Sequence, residues 1–524
     1  MHRGLRIPEV VELICAAAEP SALAVLSRTC QTFQTPALAV LWATQKQLTN
    51  LLKCLPSDVW EEVQNHPGHV HSPIVFRLRR PIASSDLSRV LFYAEKVKNL
   101  FIEPPHRLSW IVYEALSLAL SVHPLLPNLR HLTWLPPDHV YSHIRMLVGQ
   151  KLQSITFDVE RSRSVGLYLL PYLNVFHPDL SSVEIGPMDL VQSLELKESV
   201  YSTIRSMNRL QELKIPDLDI PTTLHLAQLP HLRRLNVGTF HQLFDDLQPE
   251  LAAMGPAFSA LRQFIVYSES PPSVIGFLDV VSPDALSEIT VNFGSASSME
   301  SEQWRILNTS IARRSFRTLK CVELRERFVF EQDMNDNPAA MISKDSFYPL
   351  LICRNLTDVA LQTGYGIDID NDFINKIAEA WPQLETLSLS PKFQASVYIP
   401  QVTLAGLIPL AQNCRCLTSL TLVLNATVLD IHPRERPGNG ISNEALVKLD
   451  VVESPISSPA AVASFLSAIF PELQQVLSRE DEERNTLAPH WEEDVEKWDM
   501  VGDLVQFFAS TRAQENHNPA PAAQ

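Results

Sequence analysis

The residues best equipped for chemistry in this chain are histidines, aspartates and cysteines in a few short stretches. His66, His69 and His71 crowd into HPGHVH. A zinc site built on them would need further Cys, His or carboxylate donors, and none stands at ligand spacing, so the stretch reads as a polar linker turn. His139 and His143 are four apart in PPDHVYSHIRM, without the glutamate that an HExxH site uses as its base. GYGIDIDNDF (364–373) alternates aspartates as a calcium loop does. It lacks the central glycine and the distal glutamate, and Asp370 or Asp372 is expected to cap the helix that follows. The seven cysteines (Cys15, Cys30, Cys54, Cys321, Cys353, Cys414, Cys416) contain no CxxC pair. They read as small hydrophobes kept reduced. With no GxSxG, Walker loop or Cys–His nucleophile pattern, no catalytic residue, metal or cofactor is expected.

Bulk composition narrows the remaining classes. Of 524 residues, 45% are hydrophobic and 19% charged, as in folded proteins. Only 15 glycines against 38 prolines suggest many short elements punctuated by proline. The formal charge of -16 argues against a nucleic-acid partner, which needs a basic face. Much of it lies in REDEERNTLAPHWEEDVEKWD (479–499), read as a solvated acidic segment. No apolar run is long enough to suggest a membrane span, and Glu9 and Glu12 interrupt the apolar N-terminal stretch, a poor signal peptide. A cytoplasmic or nuclear location is expected, with no membrane partner.

A self-similar pattern explains most of the length. Leu, two variable residues, an apolar residue, a variable one and an apolar one recur as LRHLTW, LQSITF, LSSVEI, LQELKI, LRRLNV, LRQFIV, LSEITV, LKCVEL, LTDVAL, LETLSL, LTSLTL and LVKLDV. The leading leucines run from Leu129 to Leu446 at intervals of 22 to 37 residues, with degraded copies near Leu100 and at Leu473. The period-2 ending marks a strand with one buried face. Segments such as 193–207 and 372–381 have helical spacing. A strand–helix unit of this kind must stack on its neighbours to cover its apolar face. These units resemble irregular leucine-rich repeats. The expected fold is α/β, a solenoid with a parallel sheet inside and helices outside. A mixed α/β domain without stacking is the alternative.

The opening stretch, RIPEVVELICAAAEPSALAVLSRTCQTFQTPALAVLW (6–42), reads as short apolar helices broken at Pro8, Pro20 and Pro36. Ile7-Pro8-Glu9, then Leu23, Leu26, Thr29, Cys30 and Phe33, then PALAVLW, resemble the F-box. That all-helical module attaches substrate receptors to cullin-RING ubiquitin ligases. Thr29 and Phe33 depart from the apolar residue and tryptophan usual there. The resemblance implies a SKP-family adaptor and, through it, a cullin as partners. By position it carries adaptor docking onto Pro8, Val11, Ile14, Leu26, Cys30 and Phe33. The rival expectation is that these helices only cap the solenoid.

Outward positions of the repeat strands form columns in which Ile265 and Tyr267, next to Arg325, make the best candidate for binding a target protein. In the tail, Val495, Trp498, Val501, Val505 and Phe508 share one helical face, expected either to cap the solenoid or to bind a partner. The expected organisation is an F-box-like module at 1–45, a helical linker or cap at 46–95 and the solenoid at 96–478. An acidic segment with an amphipathic helix follows at 479–510, then a disordered tail at 511–524. The expected function is recruitment of substrates to an SCF-type ligase; the alternative is a non-catalytic interaction scaffold.

Overall fold

The computed structural model describes residues 7–64, 74–105, 108–120, 124–159, 165–186, 194–240, 257–269, 271–294, 299–327, 341–364, 366–391, 399–428, 437–478 and 491–517. The HPGHVH stretch and most of the acidic segment lie outside them. The chain divides into two compact units, Met1–Leu232 and Arg233–Gln524.

The first unit begins with α1 (Pro8–Ala16), α2 (Pro20–Thr29) and α3 (Gln31–Ala43). Its strands are β1 (Thr44–Gln45), β2 (Trp60–Gln64), β3 (Ile74–Leu78), β4 (Asn99–Ile102), β5 (His131–Trp134), β6 (Ser154–Phe157), β7 (Ser182–Ile185) and β8 (Glu212–Ile215). β1 and β4 to β8 pair in that order, all parallel and in register. β2 and β3 form a separate antiparallel hairpin, so the 46–95 segment expected to be helical carries two strands besides its helices Thr49–Leu52 and Ser88–Ala94. The alternation WEEVQ/IVFRL suits a two-stranded ribbon with Trp60 stacked on Phe76.

The second unit holds β9 (Arg234–Phe240), β10 (Gln263–Ser268), β11 (Glu288–Phe293), β12 (Cys321–Glu326), β13 (Ile342–Ser343), β14 (Asp358–Thr363), β15 (Ile367–Asp368), β16 (Thr386–Pro391), β17 (Ser419–Leu422), β18 (Lys448–Asp450) and β19 (Gln475–Leu477). Nine of them pair in sequence order as a parallel sheet, while β13 and β15 pair with each other.

All twelve copies of the repeat fall on strands of these parallel sheets, β5 to β12, β14 and β16 to β18, and the degraded copies fall on β4 and β19. Every leading leucine from Leu129 to Leu446 is buried. The two apolar positions after it point inward and the variable ones outward, as in β14, where Val359 and Leu361 are buried between half-exposed neighbours. The architecture is α/β and leucine-rich-repeat-like. Helices connect many strands, including the expected Leu194–Ser206 and Asn371–Ala380. Asp370 is the cap of the latter, accepting from Phe373 N–H at 2.8 Å. Other connections are tighter: Asp138–His143 and Lys344–Ile352 are 3-10 turns, the second carrying Pro349 where an α-helix would need a donor.

The last helix, Trp491–His517, buries Trp498, Val501 and Val505. Trp498 Nε1–H donates to Ser454 O at 2.8 Å, and Gln506 donates to the backbone carbonyl of Gln474 beside the edge strand β19 at 3.1 Å. The helix therefore continues past residue 510, into the segment expected to be a disordered tail. Among the described residues no helix is long and apolar enough to cross a membrane.

Two buried polar groups tie loops and helix ends into the core. Glu326, at the end of β12, accepts from Met299 N–H at 2.7 Å and also from Gly364 N–H. Glu326→Ala leaves two buried amides without this carboxylate, a loss of about 1–3 kcal/mol for each. It should lower the urea midpoint at unchanged slope, with Glu326→Gln losing less. In the first unit, buried His177 sits 3.3 Å from the Tyr172 hydroxyl, which donates to Val148 O. Burial holds its imidazole below the ordinary value, so the fold prefers the neutral ring. That preference is fully expressed above about pH 6.5 and is lost as pH falls towards the folded value. The wild-type urea midpoint should drop more between pH 7.5 and 5 than that of His177→Gln; equal slopes would remove His177 as the cause.

Candidate functional site

The N-terminal helices start and stop for local reasons. Pro8 and Pro20 each occupy the first turn, after residues with extended backbone, where a missing N–H costs no helical bond. Cys30, extended at φ -160° and ψ 162°, separates α2 from α3. The break expected at Pro36 falls at Cys30 instead, and α3 runs on through Pro36, which lies inside it. Phe33 accordingly belongs to α3, one element later than its spacing with Leu23 and Leu26 suggested.

α3 packs against both other helices around a small core of Val11, Cys15, Leu23, Phe33 and Ala37. Leu26, Ala18 and Leu41 are partly buried against it. This core divides the six residues assigned to adaptor docking. Val11 and Phe33 face the module's interior, and Leu26 straddles interior and surface. Pro8, Ile14 and Cys30 are exposed. The helices also expose apolar side chains that position-by-position matching passed over, Leu13 (70% exposed) and Val25 (56%), and Ile7 at the entry to α1 is 48% exposed. Their signal was present, since helices this short hold more apolar residues than one buried stripe can absorb.

Charge is sparse on these helices, while one thiol is unusual. Hydrogen bonds from the backbone N–H groups of Phe33 and Thr32, at the start of α3, hold the Cys30 thiol below its ordinary value. Burial does the opposite elsewhere, pushing Cys353 and Cys414 up to about 12.

The module is joined to its unit without a spacer. α3 ends at Ala43, β1 begins at Thr44, and Lys98 N–H donates to Ala43 O at 2.8 Å. Trp42 stacks on Tyr93 with ring centroids 4.4 Å apart.

On the second unit's sheet, register places the proposed target-binding residues close together. Ile265, Thr290 and Glu323 form one row across β10, β11 and β12, and Tyr267, Asn292 and Arg325 form the next. Tyr267 and Arg325 are thus two strands apart, about 10 Å by ordinary strand spacing. Arg325 is ion-paired to Glu323, which also accepts from Thr290 Oγ1 at 3.2 Å. The Tyr267 ring lies across Gly294, where a Cβ would stand 2.1 Å from its hydroxyl oxygen, so the glycine makes room for it. Ile265 and Tyr267 are half-buried and Arg325 is exposed.

An open groove of about 620 Å³ in the first unit escaped the sequence reading. It lies between Leu78–Ser84 and the helix Trp110–Ala119, with Ile111 and Leu118 on one wall and Arg79 and Arg80 on the other. Arg80 is held by Asp58 at 2.8 Å and by Asp86 at 2.7 Å. His139 and His143 pack against aromatic rings, Trp110 and Tyr113 respectively. Among the described residues no group of three or more His, Cys, Asp or Glu side chains is placed to hold a metal ion.

No protein-family model matches the chain, and no curated protein does. Among solved structures it is similar to one described as the crystal structure of the Rad7 and Elc1 complex in yeast. The identity is 13%, covering 78% of this chain and 87% of that one, with a TM-score of 0.39. The fold assignment rests on the strand registers themselves.

The contrast among the thiols gives a direct check. Iodoacetamide at pH 7 should label Cys30 before Cys416, the other exposed thiol, as read by peptide mass spectrometry over time. Equal rates would mean that the start of α3 does not activate the thiol.

Proposed function

We propose that this chain is a substrate-recruiting subunit of an SCF-type cullin-RING ubiquitin ligase. In this reading α1 to α3 form an F-box that docks a SKP-family adaptor and, through it, a cullin. A target protein binds the outward face of the second unit's sheet, around Ile265, Tyr267 and Arg325. The chain itself contributes recognition and placement, and bond chemistry belongs to partner subunits. One observation carries the proposal: the helices complete a small core of their own yet still expose Ile7, Leu13, Ile14 and Val25. Burying such side chains is worth about 25 cal/mol per Å² of apolar area, which favours a partner that covers them.

A second reading is favoured by the α3–β1 junction and the Trp42–Tyr93 stack. These are what a terminal cap over the edge strand requires. A chain that used its helices only in this way would be an interaction scaffold without a ligase link.

The two readings separate on the exposed residues. The full chain co-expressed with a SKP-family adaptor should purify as a stoichiometric complex. Leu13→Asp with Ile14→Asp should weaken that complex at least tenfold while leaving the circular-dichroism spectrum unchanged, because neither side chain belongs to the module's core. Absence of a complex with the wild-type chain would leave the capping role alone.

A further inference from the structure

The helix Trp491–His517 presents two unlike faces. Trp498, Val501 and Val505 are buried in its own unit. On the opposite side Met500 and Phe507 are 55% and 64% exposed. They stand seven residues apart, two helical turns, and so project from the same stripe. Glu493, Glu496 and Asp503 fall at three- or four-residue steps along it, with Asp499 on its flank. All four carboxylates are exposed. Glu493 is paired with Lys497 at 2.8 Å, while Glu496, Asp499 and Asp503 make no ion pair among the described residues. Lys497, three residues before Met500, is taken up by Glu493 at 2.8 Å and Asp494 at 3.4 Å, so the unpaired charges beside the exposed apolar pair are all negative.

From this stripe we infer a docking surface for a basic amphipathic helix of another protein, independent of the proposed ligase attachment. Its apolar residues seat on Met500 and Phe507, and its lysines or arginines lie against Glu496, Asp499 and Asp503. The complementarity runs in one direction. An acidic partner would meet three unpaired carboxylates, and an uncharged apolar one would leave those carboxylates beside it partly desolvated and unpaired. A second copy of this chain is disfavoured for the same reason, because a symmetric contact would oppose like charges. The exposed apolar pair is what distinguishes this surface from a merely solvated acidic helix, since it rewards a partner with a matched apolar stripe.

The full-length chain can be titrated against a fluorescein-labelled leucine–lysine peptide of about 18 residues, about five helical turns, with leucines at helical spacing. A control peptide of the same composition has its leucines scattered around the helix. Fluorescence anisotropy should show the amphipathic peptide binding at least tenfold tighter than the control. Binding should weaken as salt rises from about 50 to 300 mM. Met500→Ser with Phe507→Ser should abolish the preference between peptides. Glu496→Gln, Asp499→Asn and Asp503→Asn together should weaken both peptides and flatten the salt dependence. All these positions are exposed, so the melting temperature should stay unchanged. Equal affinity for the two peptides, or a serine variant that keeps the preference, would overturn the inference. So would sedimentation showing a wild-type dimer that the serine variant loses, since the face would then serve self-association.

Discussion

Each strand–helix unit of this chain has an apolar edge that only the next unit can cover, and the rest of the fold follows from that dependence. A strand of four residues such as His131–Trp134 has too few backbone bonds to stand alone. Its leading leucine finds full burial only against units on both sides. Burial of one such side chain is worth about 1.5–3 kcal/mol, and the gain recurs at every strand. Stacking then raises the problem of ends. Among the described residues β1 pairs only with β4, and α3 precedes it directly. β19 lies under the Trp491–His517 helix, with Gln506 bonded to the neighbouring backbone.

The repeat was legible because it is written twelve times and each copy alternates apolar and polar residues over the same short span. What escaped has identifiable physical causes. The Trp60–Gln64 and Ile74–Leu78 ribbon pairs antiparallel and needs no leading leucine, so a search for that leucine passes over it. α3 continues through Pro36, inside the helix, although a proline there forfeits the bond to the carbonyl four residues back; the chain breaks instead at Cys30, whose backbone is extended. Glu326 is invisible to local pattern altogether. Its partners lie 27 and 38 residues away, on loops that meet only after the strands have stacked.

The candidate docking residues show the same division at finer scale. Helical spacing placed Val11, Leu26 and Phe33 on apolar faces, but the face shared by Leu26 and Phe33 is split by the break at Cys30. Which face turns inward was decided by α3, the helix that both others share. Residues matched by position to a motif therefore ended partly inside the module, whereas Leu13 and Val25, outside the motif, carry the exposed apolar surface. On the sheet the outcome was more direct, because strand register fixes neighbours once the strands are known. Ile265, Tyr267 and Arg325 share two adjacent rows for that reason.

The junction between Ala43 and Thr44 contains no residue that is neither helix nor strand. A flexible tether would let the helices sample many directions, and their reach would then be described by chain statistics. Here a helix passes straight into a hydrogen-bonded strand, and an indole stacked on a phenol braces the corner. Torque applied to the helices is transmitted to the first strands of the sheet with little slack. Any body gripped by these helices is consequently held at a set angle to its unit, so that orientation is written into covalent geometry instead of being searched for by diffusion.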